Sequence, residues 1–68
     1  MIHSSAVIAK NTEIHETTHI GPFCIIGDGV KIGKNNNLIS HVSIVGNTTI
    51  ENSNIFHPFC SIGSEPQD

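Results

Sequence analysis

Few side chains in this 68-residue sequence have the types and spacing to do chemistry. His15-Glu16-Thr17-Thr18-His19 sets two imidazoles at a spacing that zinc sites use on helices and fingers. If the segment crosses a strand, a turn and another strand, the rings need not share a face, and it is a solvated corner instead. No cysteine or further histidine completes a ligand set, so neither a metal nor another cofactor is expected. Cys24 and Cys60 would be nucleophiles only where something nearby favours the thiolate, and no such group accompanies either. Asn35-Asn36-Asn37, following Gly33-Lys34, reads as a corner, because Asn tolerates left-handed backbone; phosphate cradling is the alternative, though no helix N-terminus follows it. His41 faces either a packed wall or a cleft. Last comes the polar run 63–68, ending in Gln67 and Asp68, which is either a loop leaving a regular structure or a polar end to it.

The regular structure is set by a period of six. Every sixth residue from Ile2 is large and apolar: Ile2, Ile8, Ile14, Ile20, Ile26, Ile32, Leu38, Ile44, Ile50, Phe56 and Ile62. Nine of the twelve isoleucines lie on this series, and Asp68 breaks it. Four residues after each aliphatic comes a small or medium side chain, as at Ala6, Thr18, Cys24, Val30, Asn36 and Val42. Glycine follows the aliphatic at Gly21, Gly27, Gly33 and Gly63, where a tight corner favours a residue without Cβ. A period of six fits neither the helical 3.6 nor simple two-face alternation. It fits a three-sided coil with a short strand and a turn per side, each side sending one large and one small residue inward.

Residues 18 apart then stack on successive rungs. The predicted columns are Ile2, Ile20, Leu38 and Phe56; Ile8, Ile26, Ile44 and Ile62; and Ile14, Ile32 and Ile50. β-Branched isoleucine suits such a stacked parallel sheet. Cys24 and Cys60 fall in one column two rungs apart, roughly 9.5 Å at ordinary strand spacing and too far for a disulfide. Both are expected as reduced thiols packing like small hydrophobes.

Composition narrows the partners. The cations are three lysines, Lys10, Lys31 and Lys34, with no arginine, too few and too scattered to displace counterions from nucleic acid. No apolar run approaches the roughly 20 residues of a membrane span. The opening Met1-Ile2-His3-Ser4-Ser5 lacks a secretory signal's basic stretch and apolar core, so a cytoplasmic setting is expected. A chain this short buries a small core, and trimerisation, aggregation or partial disorder is expected.

Three stretches carry a family likeness. They are Ile20-Gly21-Pro22-Phe23-Cys24-Ile25-Ile26-Gly27, Ser40-His41-Val42, and above all Phe59-Cys60-Ser61-Ile62-Gly63-Ser64-Glu65-Pro66-Gln67-Asp68. Together they resemble the start of the UDP-N-acetylglucosamine O-acyltransferases that open lipid A synthesis. The hexapeptide pattern is shared by many transferases, while the Pro-Gln-Asp ending is more specific. The resemblance implies an all-β fold, a left-handed parallel β-helix of hexapeptide repeats with just under four coils. Residues 1–68 would be one repeat segment, truncated relative to the family. It also implies a homotrimer whose partners are UDP-N-acetylglucosamine and acyl carrier protein, with Asp68 and Gln67 contacting substrate. The family's catalytic histidine lies in later coils, and none of His3, His15, His19, His41 or His57 matches it. No catalytic residue is therefore expected here, and the chain alone should be inactive. The alternatives are a non-catalytic, self-associating repeat module and a fragment of another hexapeptide acyltransferase.

Overall fold

The computed structural model describes residues 1–63. Their regular elements are ten two-residue parallel strands: β1 (Val7–Ile8), β2 (Glu13–Ile14), β3 (His19–Ile20), β4 (Ile25–Ile26), β5 (Lys31–Ile32), β6 (Asn37–Leu38), β7 (Ser43–Ile44), β8 (Thr49–Ile50), β9 (Ile55–Phe56) and β10 (Ser61–Ile62). They stack as three sheets, which are the three faces of a coil. Face one is β1-β4-β7-β10, face two is β2-β5-β8, and face three is β3-β6-β9, extended by a bridge from Ile2 to Ile20. The register is 18 residues throughout: Ile8 pairs with Ile26, Ile14 with Ile32, Ile20 with Leu38 and Leu38 with Phe56. The three predicted columns are the three faces. Three full turns and part of a fourth result.

Each strand begins with an outward residue and ends with the inward aliphatic, and the residue four further on also turns in. Ile20, Ile26, Ile32, Leu38 and Ile44 alternate in the core with Cys24, Val30 and Val42. Burial is complete at the middle rungs, while Ile8, Ile14, Phe56 and Ile62 are half-buried because each has a rung on one side only among the described residues. Backbone amides bond to the carbonyls of the next rung, as in Val7 N–H to Cys24 O at 2.8 Å and His19 N–H to Asn36 O at 2.9 Å. The ladder thus satisfies backbone groups without any helix.

Two buried polar residues join the core and are fully bonded. The Thr18 hydroxyl donates to the Gly33 carbonyl. Asn36 donates from Nδ2 to Glu51 O at 2.6 Å and accepts from Asn54 N–H at 2.9 Å, clamping one corner to the rung above. Glycine follows the aliphatic at 21 for close approach and not for backbone conformation. A Cβ at Gly21 would run into the Ile39 carbonyl of the next rung. Left-handed backbone instead occurs mid-corner, at Phe23, Asn35, His41, Ser53 and Phe59 among non-glycine residues.

Candidate functional site

Gln67 and Asp68, the two expected substrate contacts, lie outside the described residues. The last strand before them, β10, closes face one, and Gly63 follows it at φ +81°. The other candidate residues can all be placed.

His15 and His19 occupy different elements, a corner and the outer position of β3. Among the described residues no three His, Cys, Asp or Glu side chains gather as a metal-ligand set. His15 has a local task. Its Nδ1 accepts the Thr17 amide at 3.2 Å and lies 2.9 Å from the Thr17 hydroxyl, while that hydroxyl oxygen accepts Asn35 N–H from the next rung at 2.9 Å. His3 repeats the device. Nδ1 accepts the Ser5 amide at 3.1 Å and lies 2.9 Å from the Ser5 hydroxyl, whose oxygen accepts Phe23 N–H at 3.0 Å. A hydroxyl donating to an imidazole is the first element of an activated nucleophile, but a third group that orients the ring is needed and neither pair has one. Both pairs fasten a corner to the rung above.

The Asn35–Asn37 corner resolves in the same way. The Asn35 and Asn36 amides donate to Thr17 and Thr18 hydroxyls, Asn37 N–H donates to Asn54 O, and Lys34 N–H to the Asn52 side chain. With those amides committed to protein acceptors, the segment has no cradle to offer a phosphate. Cys24 is buried and Cys60 half-buried, both as free thiols, with Val42 between them in the same inward column.

His41 is where sequence reasoning fell short. It stands in an exposed column with the residues 18 before and after it. The Phe23 and His41 ring centroids are 5.1 Å apart, those of His41 and Phe59 4.9 Å, with interplanar angles of 30° and 27°. All three residues have left-handed backbone, at φ 58°, 50° and 66°. Such geometry costs about 1–3 kcal/mol per bulky residue, and a stacked pair returns about 0.5–1.5 kcal/mol. The equivalent corners on the other two edges use Gly29, Asn35 and Ser53, which suit that backbone better. The signal was present in the sequence, since Pro22-Phe23-Cys24, Ser40-His41-Val42 and Pro58-Phe59-Cys60 recur every 18 residues.

Face two is different in kind. Lys31 Nζ lies 3.5 Å from Glu13 across adjacent strands, in an open pair that contributes under about 1 kcal/mol. Beside it runs a shallow groove of about 330 Å³ lined by Glu13, Lys31, Thr49, Glu51 and Asn52 among others. Its charged lining is one lysine and two glutamates.

Residues 5–38 match the bacterial transferase hexapeptide (six repeats) family. Over 67 residues the chain is 46% identical to the acyl-[acyl-carrier-protein]–UDP-N-acetylglucosamine O-acyltransferase of Psychrobacter sp. (strain PRwf-1), and 49% identical to that of Thermodesulfovibrio yellowstonii. Each match covers 98% of this chain and 26% of the relative. The crystal structure of Francisella novicida UDP-N-acetylglucosamine acyltransferase superposes with a TM-score of 0.96 at 46% identity, covering 100% of this chain and 25% of that one. The chain spans about a quarter of the length of the relatives it matches. A sixfold aliphatic period wound into three parallel faces, together with the match over residues 5–38, shows that this chain belongs to the bacterial transferase hexapeptide family.

Proposed function

We propose that this chain is the opening part of a UDP-N-acetylglucosamine 3-O-acyltransferase. That enzyme moves a 3-hydroxyacyl chain from acyl carrier protein to the sugar nucleotide in the first step of lipid A synthesis. The observation that carries the reading is identity of 46–49% along 98% of the chain to enzymes named for that transfer. The superposition on the Francisella novicida enzyme supports it independently. In the reaction a histidine base takes the proton of the sugar 3-hydroxyl, the oxygen attacks the thioester carbonyl, and the carrier thiol leaves. Asp68, with Gln67 beside it, contacts the sugar.

On the family resemblance the base is none of His3, His15, His19, His41 or His57 and belongs to later turns. His3 and His15 are engaged at Nδ1 by corner groups, and His41 lies between two phenylalanine rings. On that reading the 68 residues alone are inactive, and they supply the coil on which a catalytic histidine from later turns is built. The whole enzyme is a cytoplasmic homotrimer; among the described residues no helix is long and apolar enough to cross a membrane.

A chimera tests the reading. This chain replaces the matching quarter of the Thermodesulfovibrio yellowstonii enzyme, and acyl transfer from acyl carrier protein to UDP-N-acetylglucosamine is measured. The chimera should turn over. Asp68→Ala in it should lower kcat/KM roughly 10- to 100-fold, the worth of one charge-assisted hydrogen bond. A folded chimera without turnover refutes the assignment, and turnover by the isolated chain refutes its inactivity.

A further inference from the structure

Two of the coil's three edges turn at a fixed place. Their left-handed residue is always the third after the inward aliphatic, as at Phe23, Asn35, His41, Ser53 and Phe59. On the edge that follows face one, that residue comes earlier at each successive rung. Gly29 is third after Ile26, Gly46 is second after Ile44, and Gly63, at φ +81°, comes directly after Ile62. Among the described residues no other residue directly after an inward aliphatic has positive φ, and Ala9, Gly27 and Val45 hold the same place on earlier rungs without it. Register is kept until that point, since Ile62 pairs with Ile44 and its carbonyl accepts Val45 N–H at 3.0 Å. The backbone then leaves the path of the earlier rungs at a single residue.

The corner one rung earlier forms a seat for this turn. Its Thr48 hydroxyl donates to the Val45 carbonyl at 2.8 Å. Gly63 rests against both oxygens: a Cβ there would run into the Val45 carbonyl and stand 2.6 Å from Thr48 Oγ1. Only glycine combines that approach with left-handed backbone. A break from a regular pattern, held in place by its surroundings, belongs to functional positions. We infer that Gly63 is a positioning residue for acyl transfer, turning the chain off the coil so that Gln67 and Asp68, four and five residues further on, reach the sugar nucleotide. The inference rests on the acyltransferase reading above and deepens it. Gly63 has no side chain to offer the sugar and acts through Asp68. Such help is worth having, because misplacing a contact by about 1 Å can cost roughly 100-fold in rate.

The test uses the chimera described above, with kinetics in both substrates and circular dichroism to follow folding. Gly63→Ala should raise KM for UDP-N-acetylglucosamine roughly tenfold or more and leave KM for the acyl carrier protein unchanged. Added to Asp68→Ala it should cost nothing further, because both changes act through one contact. Gly21→Ala, whose methyl meets backbone on another edge, should lower the melting temperature and leave both KM values alone. If Gly63→Ala does not fold, Thr48 decides. Thr48→Val takes the hydroxyl from the seat and should raise the same KM roughly threefold or more, while Thr48→Ser should keep the parent value. A folded Gly63→Ala chimera with the parent's KM, losses that multiply in the double variant, or an unchanged KM in Thr48→Val overturns this inference and leaves the acyltransferase reading standing. A folded parent chimera without turnover overturns both.

Discussion

The His41 ring lies 4.9 Å from the ring of Phe59, 18 residues later, and the Phe59 amide donates to the His41 carbonyl at 3.1 Å. One turn of the coil therefore stacks side chains and bonds backbone at the same corner. The same interval governs the inside, where Leu38 lies over Ile20 and under Phe56. Changes that disturb the interval should be costly, and changes at outward positions should not.

Gly21→Ala is the sharpest local case. The added methyl meets the Ile39 carbonyl, a backbone atom that cannot yield without moving the next rung. Stability should fall by about 1–3 kcal/mol, read from the urea midpoint. Gly46→Ala should cost less, about 1 kcal/mol, because its new methyl comes no closer than 3.4 Å to the Gly63 carbonyl and only the φ of +78° is penalised. Equal losses would mean that rungs are not held at this separation.

Asn36→Ala removes both halves of a clamp. It leaves the Asn54 amide and the Glu51 carbonyl without their partner at a part-buried corner, for a loss of about 1–3 kcal/mol. Urea unfolding of the variant checks this, and a change within experimental error would show that the corner is open to water.

Much of this was legible from residue order. A six-residue period fits a three-sided coil, so the aliphatic series named the three columns and the inward partners. The cysteines followed, because Cys24 and Cys60 share a column with Val42 between them. The aromatic column was not read, because Phe and His contradict the local preference for Asn, Gly or Ser at left-handed positions. Their common site emerges only when the rungs are stacked. Nor could spacing show that His3 and His15 bind hydroxyls two residues away, since that depends on the corner's shape. Gln67 and Asp68 rest on the family resemblance, with no contribution from the period that Asp68 breaks.

The histidine pairs predict a tautomer. Because Nδ1 of His3 and of His15 accepts a backbone N–H, the neutral rings should carry their proton on Nε2. Imidazole nitrogen chemical shifts at alkaline pH report this directly. An Nδ1–H signature at either residue would remove its bond to the corner.

Thiol chemistry should separate the two cysteines. Cys60, half-buried, should react with a water-soluble disulfide reagent in the native chain, while Cys24, wholly buried, should react only on unfolding. Mild oxidation should leave the mass of a chain with two free thiols. Loss of two hydrogens within one chain would require the two residues of this one column to approach far closer than two rungs.

The three-sided winding itself is best tested by nuclear Overhauser contacts in the 68-residue chain. Contacts should link residues 18 apart across all three faces, Val7 with Ile25, Glu13 with Lys31, and His19 with Asn37. Contacts between residues three or four apart in a helical pattern, with the 18-residue contacts absent, would contradict the fold and everything built on it.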